Sequence, residues 1–66
     1  MKLEYDKDVD AAYVCLDAKN IKSTKTIEIN ENILLDLDED GKIMGIEILN
    51  ASKVLNKRLL SEAMTV

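Results

Sequence analysis

The stretch that decides the fold is residues 33–49, which read ILLDLDEDGKIMGIEIL. Two apolar segments flank the acidic run 38–41, which ends in an Asp-Gly pair. Asp-Gly between apolar segments is a strong hairpin signal, because glycine supplies the positive φ angle that the turn requires. The stretch therefore predicts a fourth strand at 33–38, a tight turn at 38–41 and a fifth strand at 42–49.

Alternation of apolar and polar residues predicts three further strands upstream, at 2–6, 11–16 and 24–29. The strand at 11–16 is apolar on both faces, which is typical of the centre of a sheet covered on both sides. Breaks are expected at 7–10 and 17–20, and a turn at 30–32. In the first strand we expect Leu3 and Tyr5 to face the core, and in the third Ile27 and Ile29.

A helix of about three turns is expected after the fifth strand, with Asn50 or Ser52 as its N-cap. The apolar residues that recur at helical spacing are Leu55, Leu59, Leu60 and Ala63. The predicted fold class is therefore α+β: one domain, residues 1–66, with an antiparallel sheet of about five short strands. The strands form two hairpin-like units, and one C-terminal amphipathic helix follows them.

Composition limits the function classes. The chain has 13 acidic and 9 basic residues, a net charge of −4 and no histidine. An acidic balance makes nucleic acid an unlikely partner and favours a basic one. The absence of histidine excludes Ser/His/Asp triads and Cys/His sites, so we predict no enzyme and no cofactor.

The same sequence gives expectations for assembly and location. The single cysteine, Cys15, allows no intrachain disulfide, and so small a core favours oligomerisation. One helix covers one face of the sheet, so a second copy packed on the other face predicts a homodimer. The chain shows neither a secretory signal nor an apolar run of membrane-spanning length. We therefore predict a cytoplasmic protein without membrane contact.

Residues 36–47 also fit the pattern of an EF-hand calcium loop, with Asp36, Asp38, Asp40, Gly41 and Glu47 at the required spacing. An EF-hand loop joins two helices, whereas both flanks here have strand character. The favoured interpretation is an Asp-rich hairpin, with Asp36 and Asp38 pointing to solvent from the same face of a strand. Calcium binding through the Asp36–Glu47 loop is the alternative.

Three segments, residues 5–14, 33–43 and 45–52, resemble the small prokaryotic family called domain of unknown function 2283. Its pattern runs Tyr-Asp, an acidic turn, Asp-Ala-Leu-Tyr-Ile, a later Asp-acidic-Gly, then Gly-Ile-Glu-Ile-Leu and Ala-Ser. The resemblance implies a β-rich domain ending in a helix. It also suggests an antitoxin-like protein-interaction module for a basic, ribonuclease-type toxin. On that hypothesis Asp36, Asp38, Asp40 and Glu47 are partner-binding residues rather than metal ligands.

Overall fold

The computed structural model describes residues 2–16 and 25–65. Its described elements are β1 (Lys2–Asp6), β2 (Ala11–Cys15), β3 (Lys25–Asn30), β4 (Ile33–Leu37), β5 (Ile43–Leu49), α1 (Ala51–Val54), α2 (Lys57–Glu62) and β6 (Met64–Thr65). The five predicted strands are therefore confirmed, and their described ends lie within one residue of the predicted ones. The predicted break at 17–20 and the predicted start of the third strand at Thr24 lie outside the described residues.

The strands form one sheet in the order β3-β4-β5-β2-β1-β6. Neighbours pair antiparallel except β1 and β6, which are parallel. The prediction of an antiparallel five-stranded sheet is therefore wrong in two respects. A sixth strand exists, and it makes the sheet mixed. Two residues after a helix carry too little periodicity to show in the sequence.

The core lies between the sheet and the two helices. Ala12 and Ile48 from adjacent strands and Ala51 from α1 are buried there. The partly buried apolar residues around them are Leu3, Tyr5, Val14, Ile46, Leu55 and Leu60. Leu3 and Tyr5 thus face the core as predicted. Ile27 and Ile29 belong to an edge strand whose residues are all exposed, so the prediction that they are buried is wrong.

The chain is largely sheet with helical structure toward its C-terminus, as predicted, but two short helices replace the single helix expected. Leu55 and Asn56 are extended, with ψ angles of 148° and 159°. The Asn56 side chain then accepts a hydrogen bond from the Leu59 amide at 2.9 Å and caps α2. Asn50 does hold the N-cap position of α1, but its side chain makes no capping bond. Neither helix has the length and apolar composition that crossing a bilayer would require.

Candidate functional site

The candidate site lies on the sheet face opposite the helices, which we call the open face because the described residues place no helix on it. Strand register fixes which side chains share this face. One cross-strand row runs Glu4, Tyr13, Glu47, Leu34, Glu28. The next row runs Lys2, Cys15, Gly45, Asp36, Thr26. Asp6, Ala11 and Leu49 form a third, shorter row.

Asp36 is the centre of a polar cluster on this face. The residue is only 8% exposed, which is unusual for an aspartate. The Thr26 hydroxyl donates to Asp36 Oδ1 at 2.8 Å, and Tyr13 and Glu47 also hydrogen-bond to Asp36. We call Tyr13, Thr26, Asp36 and Glu47 the carboxyl cluster. Its hydrogen bonds are what allow an acidic side chain to be buried in the sheet.

Gly45 makes room for the cluster. A Cβ atom added at this residue would overlap the Tyr13 hydroxyl and ring, and even Cε1 of that ring would lie 3.1 Å away. Tyr13 therefore reaches across bare backbone at Gly45 toward Asp36, which is the cross-strand partner of Gly45. The glycine is required for a close approach rather than for a turn.

The cluster changes the proton affinity of two of its members. Burial, followed by the charge of Asp36 and a hydrogen bond to it, raises the pKa of Glu47 above its ordinary value. Burial and the same Asp36 carboxylate raise the pKa of Tyr13 to about 12. Glu47 therefore keeps a proton to higher pH than an exposed glutamate does.

The four carboxylates predicted as partner-binding residues separate into two pairs. Asp36 and Glu47 meet in the carboxyl cluster. Asp38 lies in the β4–β5 turn, where its Oδ1 accepts hydrogen bonds from the Asp40 and Lys42 amides, both at 2.9 Å. The Asp40 side chain is exposed in the same turn. The expectation that Asp36 and Asp38 both point to solvent from one strand is therefore wrong, since Asp36 is buried and β4 ends at Leu37.

The calcium-loop alternative gains no support from this geometry. The acidic run forms a hairpin turn, in which Gly41 has φ 79° and its amide donates to the Asp38 carbonyl at 3.0 Å. Glu47 lies well along β5, away from that turn. Within residues 2–16 and 25–65, no three acidic or cysteine side chains are grouped so that they could hold a metal ion.

A shallow groove of about 300 Å³ lies on the open face next to the carboxyl cluster. The acidic residues Glu4, Asp6 and Glu47 and the ring of Tyr13 form its walls. The apolar residues Val9, Ala11 and Leu49 form its floor. The small side chain of Ala11 creates the depression, because its neighbours in the row and along the strand are larger. The groove thus combines an apolar floor with carboxyl groups.

A second polar network, which the sequence did not reveal, lies at the start of α1. Asp10 has a left-handed φ of 53°. Its Oδ1 accepts from the Tyr5 hydroxyl at 2.7 Å and from the Ser52 amide at 2.9 Å, and its Oδ2 accepts from the Ser52 hydroxyl at 2.7 Å. Bonds from Ser52 and then from Tyr5 lower the pKa of Asp10. Asp10 therefore joins the β1–β2 turn to the start of α1, and no spacing along 42 residues predicts such a pair.

Comparison with known proteins identifies the family but not an activity. The chain is 43% identical over 56 residues to an uncharacterized protein of Methanocaldococcus jannaschii, in a match that covers 85% of this chain and 47% of that protein. The chain thus spans about half the length of this curated relative. No solved structure matches it significantly. The model of the family described as "Protein of unknown function (DUF2283)" matches residues 2–52, the segment that holds β1 to β5 and both polar networks. The chain belongs to that family.

Proposed function

We propose that this protein is a protein-interaction module that binds a basic partner protein through the open face of its sheet. The charge of that face is the observation that carries the proposal. Its charged sheet positions that reach the surface, taken from the described strands, are Lys2, Glu4, Asp6, Glu28 and Glu47, whereas Asp36 on the same face is buried. The lysine is already paired, since its Nζ lies 3.9 Å from a Glu4 carboxylate oxygen. A basic surface complements such a face and is steered toward it.

The arrangement suits binding better than catalysis. In the carboxyl cluster, Asp36 Oδ1 already accepts a hydrogen bond from Thr26, and the Tyr13 hydroxyl also hydrogen-bonds to this carboxylate. The groove beside the cluster is shallow and open, whereas acid–base chemistry needs a site that encloses its substrate. Neutralisation of a basic ribonuclease-type toxin, which the family resemblance suggests, is one form that such binding could take.

The same charge argues against a second copy on the open face. A symmetric dimer through this surface would bring Glu4, Glu28 and Glu47 of one chain toward the same residues of the other. Like charges at an interface oppose association. A basic protein therefore complements this face better than a second copy of the chain does. The homodimer expected from the sequence stays a prediction.

The test is capture of the partner from the native host with charge-reversed chains. Glu4→Lys combined with Glu28→Lys reverses two carboxylates in one row of the open face. Glu31→Lys combined with Glu62→Lys makes the same change in net charge at exposed positions in a turn and in α2. Bound proteins are identified by mass spectrometry, and affinity is then measured with the purified partner at low and high salt.

We expect the unaltered chain and the control variant to recover one small basic protein in stoichiometric amount. The open-face variant should bind that protein about tenfold more weakly or worse, since each exposed charge contact contributes up to about 1 kcal/mol. Binding should also weaken with salt. Equal recovery by both variants, or recovery of the chain alone, would contradict the proposal.

A further inference from the structure

The groove on the open face has two chemical halves that one kind of side chain would match. Ala11 and Leu49 are cross-strand partners and give it an apolar floor, and Val9 extends that floor from the β1–β2 turn. Glu4 and Glu47 stand on either side of Tyr13 in the next row. Two strand spacings separate them, or about 10 Å between their Cα atoms.

We propose that this groove receives a single arginine side chain from the basic partner. The inference rests on the proposed function and names the contact that anchors it. The aliphatic stem of an arginine would lie on the apolar floor, since long cationic side chains bury their methylene groups and keep the charged end in polar surroundings. Its guanidinium group would then reach the carboxyl groups of Glu4 and Glu47.

Size and charge together select this occupant. A volume of about 300 Å³ is at the lower limit for small-molecule sites, so the groove suits one large side chain rather than a cofactor. The acidic walls select a cation. The flat ring of Tyr13 favours a planar guanidinium over an ammonium group, because a guanidinium is weakly hydrated and stacks on aromatic rings. Anchors of this kind, seated in pockets, dominate many protein interfaces.

The test uses three pentapeptides with the full chain: glycine peptides with a central arginine, lysine or citrulline. Citrulline keeps the shape of arginine and removes its charge. Binding is followed by NMR through the backbone amide shifts of Ala11, Tyr13 and Leu49. Glu4→Gln removes one wall charge at the rim, Glu4→Gln with Glu47→Gln removes two, and Glu31→Gln is the control, at an exposed position in the β3–β4 turn outside the groove.

We expect the arginine peptide to give saturable shifts with a Kd of about 1 to 10 mM. Glu4→Gln should raise that Kd about threefold and the double variant at least about fivefold, with no change for Glu31→Gln. The Kd measured with Glu4→Gln tests the proposal even if the double variant fails to fold. Equal binding of the citrulline or lysine peptide, or no saturable shift up to about 50 mM, would overturn the proposal.

Failure of the arginine-anchor proposal and failure of the proposed function can be told apart by experiment. If no peptide binds in the groove but reversal of Glu4 and Glu28 still abolishes partner capture, the partner uses the open face without an arginine anchor. If the peptide binds but the host yields no basic partner, the groove is a cation site and the interaction-module proposal fails.

Discussion

The contact between Tyr13 and Gly45 allows the clearest test of the carboxyl cluster. Gly45→Ala places a methyl group where the Tyr13 hydroxyl and ring now lie. The clash involves the distal half of the ring, so the tyrosine has to rotate away from the sheet. That rotation removes the hydrogen bond from Tyr13 to Asp36, and Asp36 becomes more exposed to water.

The magnitude follows from opposing terms. Replacing a strand glycine with alanine would by itself stabilise the fold by roughly 0.5–1 kcal/mol, because glycine loses more backbone entropy on folding. Overpacking costs about 1–3 kcal/mol, and the lost hydrogen bond costs about 1 kcal/mol more. The net expectation is a loss of about 2 kcal/mol, which for a chain of this size lowers Tm by about 10 °C.

A double-mutant cycle isolates the contact. Tyr13→Val removes the ring while keeping a side chain suited to a strand, and free energies of unfolding are measured in urea. In that background Gly45→Ala should be neutral or stabilising by up to about 1 kcal/mol, which gives a coupling of about 2 to 3 kcal/mol. Gly41→Ala is the control: it meets no atom within 4 Å and is strained by its φ of +79° instead, so its cost should be the same in both backgrounds. An equal cost of Gly45→Ala with and without the ring would refute the reasoning.

Three further outcomes are expected. Asp10→Ala should lower Tm more than Asp8→Ala, a matched loss of charge in the same exposed turn, since only Asp10 joins that turn to α1; equal losses would contradict this. Asn56→Ala should cost about 1 kcal/mol in urea unfolding and Asn56→Ser should restore most of it; a neutral alanine variant would show that the cap is not needed. For Glu47, burial and the Asp36 charge raise the folded-state pKa above the ordinary value of a glutamate, so its contribution to stability is complete below that ordinary pKa and is lost as pH rises through the folded-state pKa. Glu47→Gln, which removes this titration beside Asp36 and Tyr13, should therefore gain stability relative to the unaltered chain as pH rises from 4 to 7, and a constant difference would exclude the effect.

Strands β1 to β5 were predictable because each carries its own signal. The turn at 38–41 fixes the register of β4 and β5, and Asn30 marks its turn by accepting hydrogen bonds from the amides of Asn32 and Ile33. The division of the helix into α1 and α2 was not predictable, because Leu55 and Leu60 both contact the core as residues of one helix would. The chain between them is nevertheless extended at Asn56. Periodicity shows which residues meet the core, and it does not show whether the backbone is continuous between them.

The burial of Asp36 was missed for a different reason. Alternation correctly predicts that Asp36 lies on the sheet face away from the helices, but it does not show whether that face is exposed to solvent at this position. The hairpin register makes Asp36 the partner of Gly45, and an acidic residue beside a strand glycine leaves space that a neighbouring aromatic ring can fill. That pairing was the available signal, since a glycine inside a strand often marks a close approach.

Several residues that carry the family resemblance stabilise the fold of this chain. Tyr5, Asp10 and Ser52 form one network that joins the first turn to α1, and Gly45 accommodates Tyr13. Glu4 and Glu28, which give the open face much of its exposed charge, lie outside the three segments that carry the resemblance. The shared pattern therefore consists of residues that stabilise the fold. The contacts proposed for the partner depend partly on Glu4 and Glu28, which are not part of that pattern. Relatives with the same fold could then bind different partners, and exchanging the open-face carboxylates for those of a relative should change the partner without changing the fold.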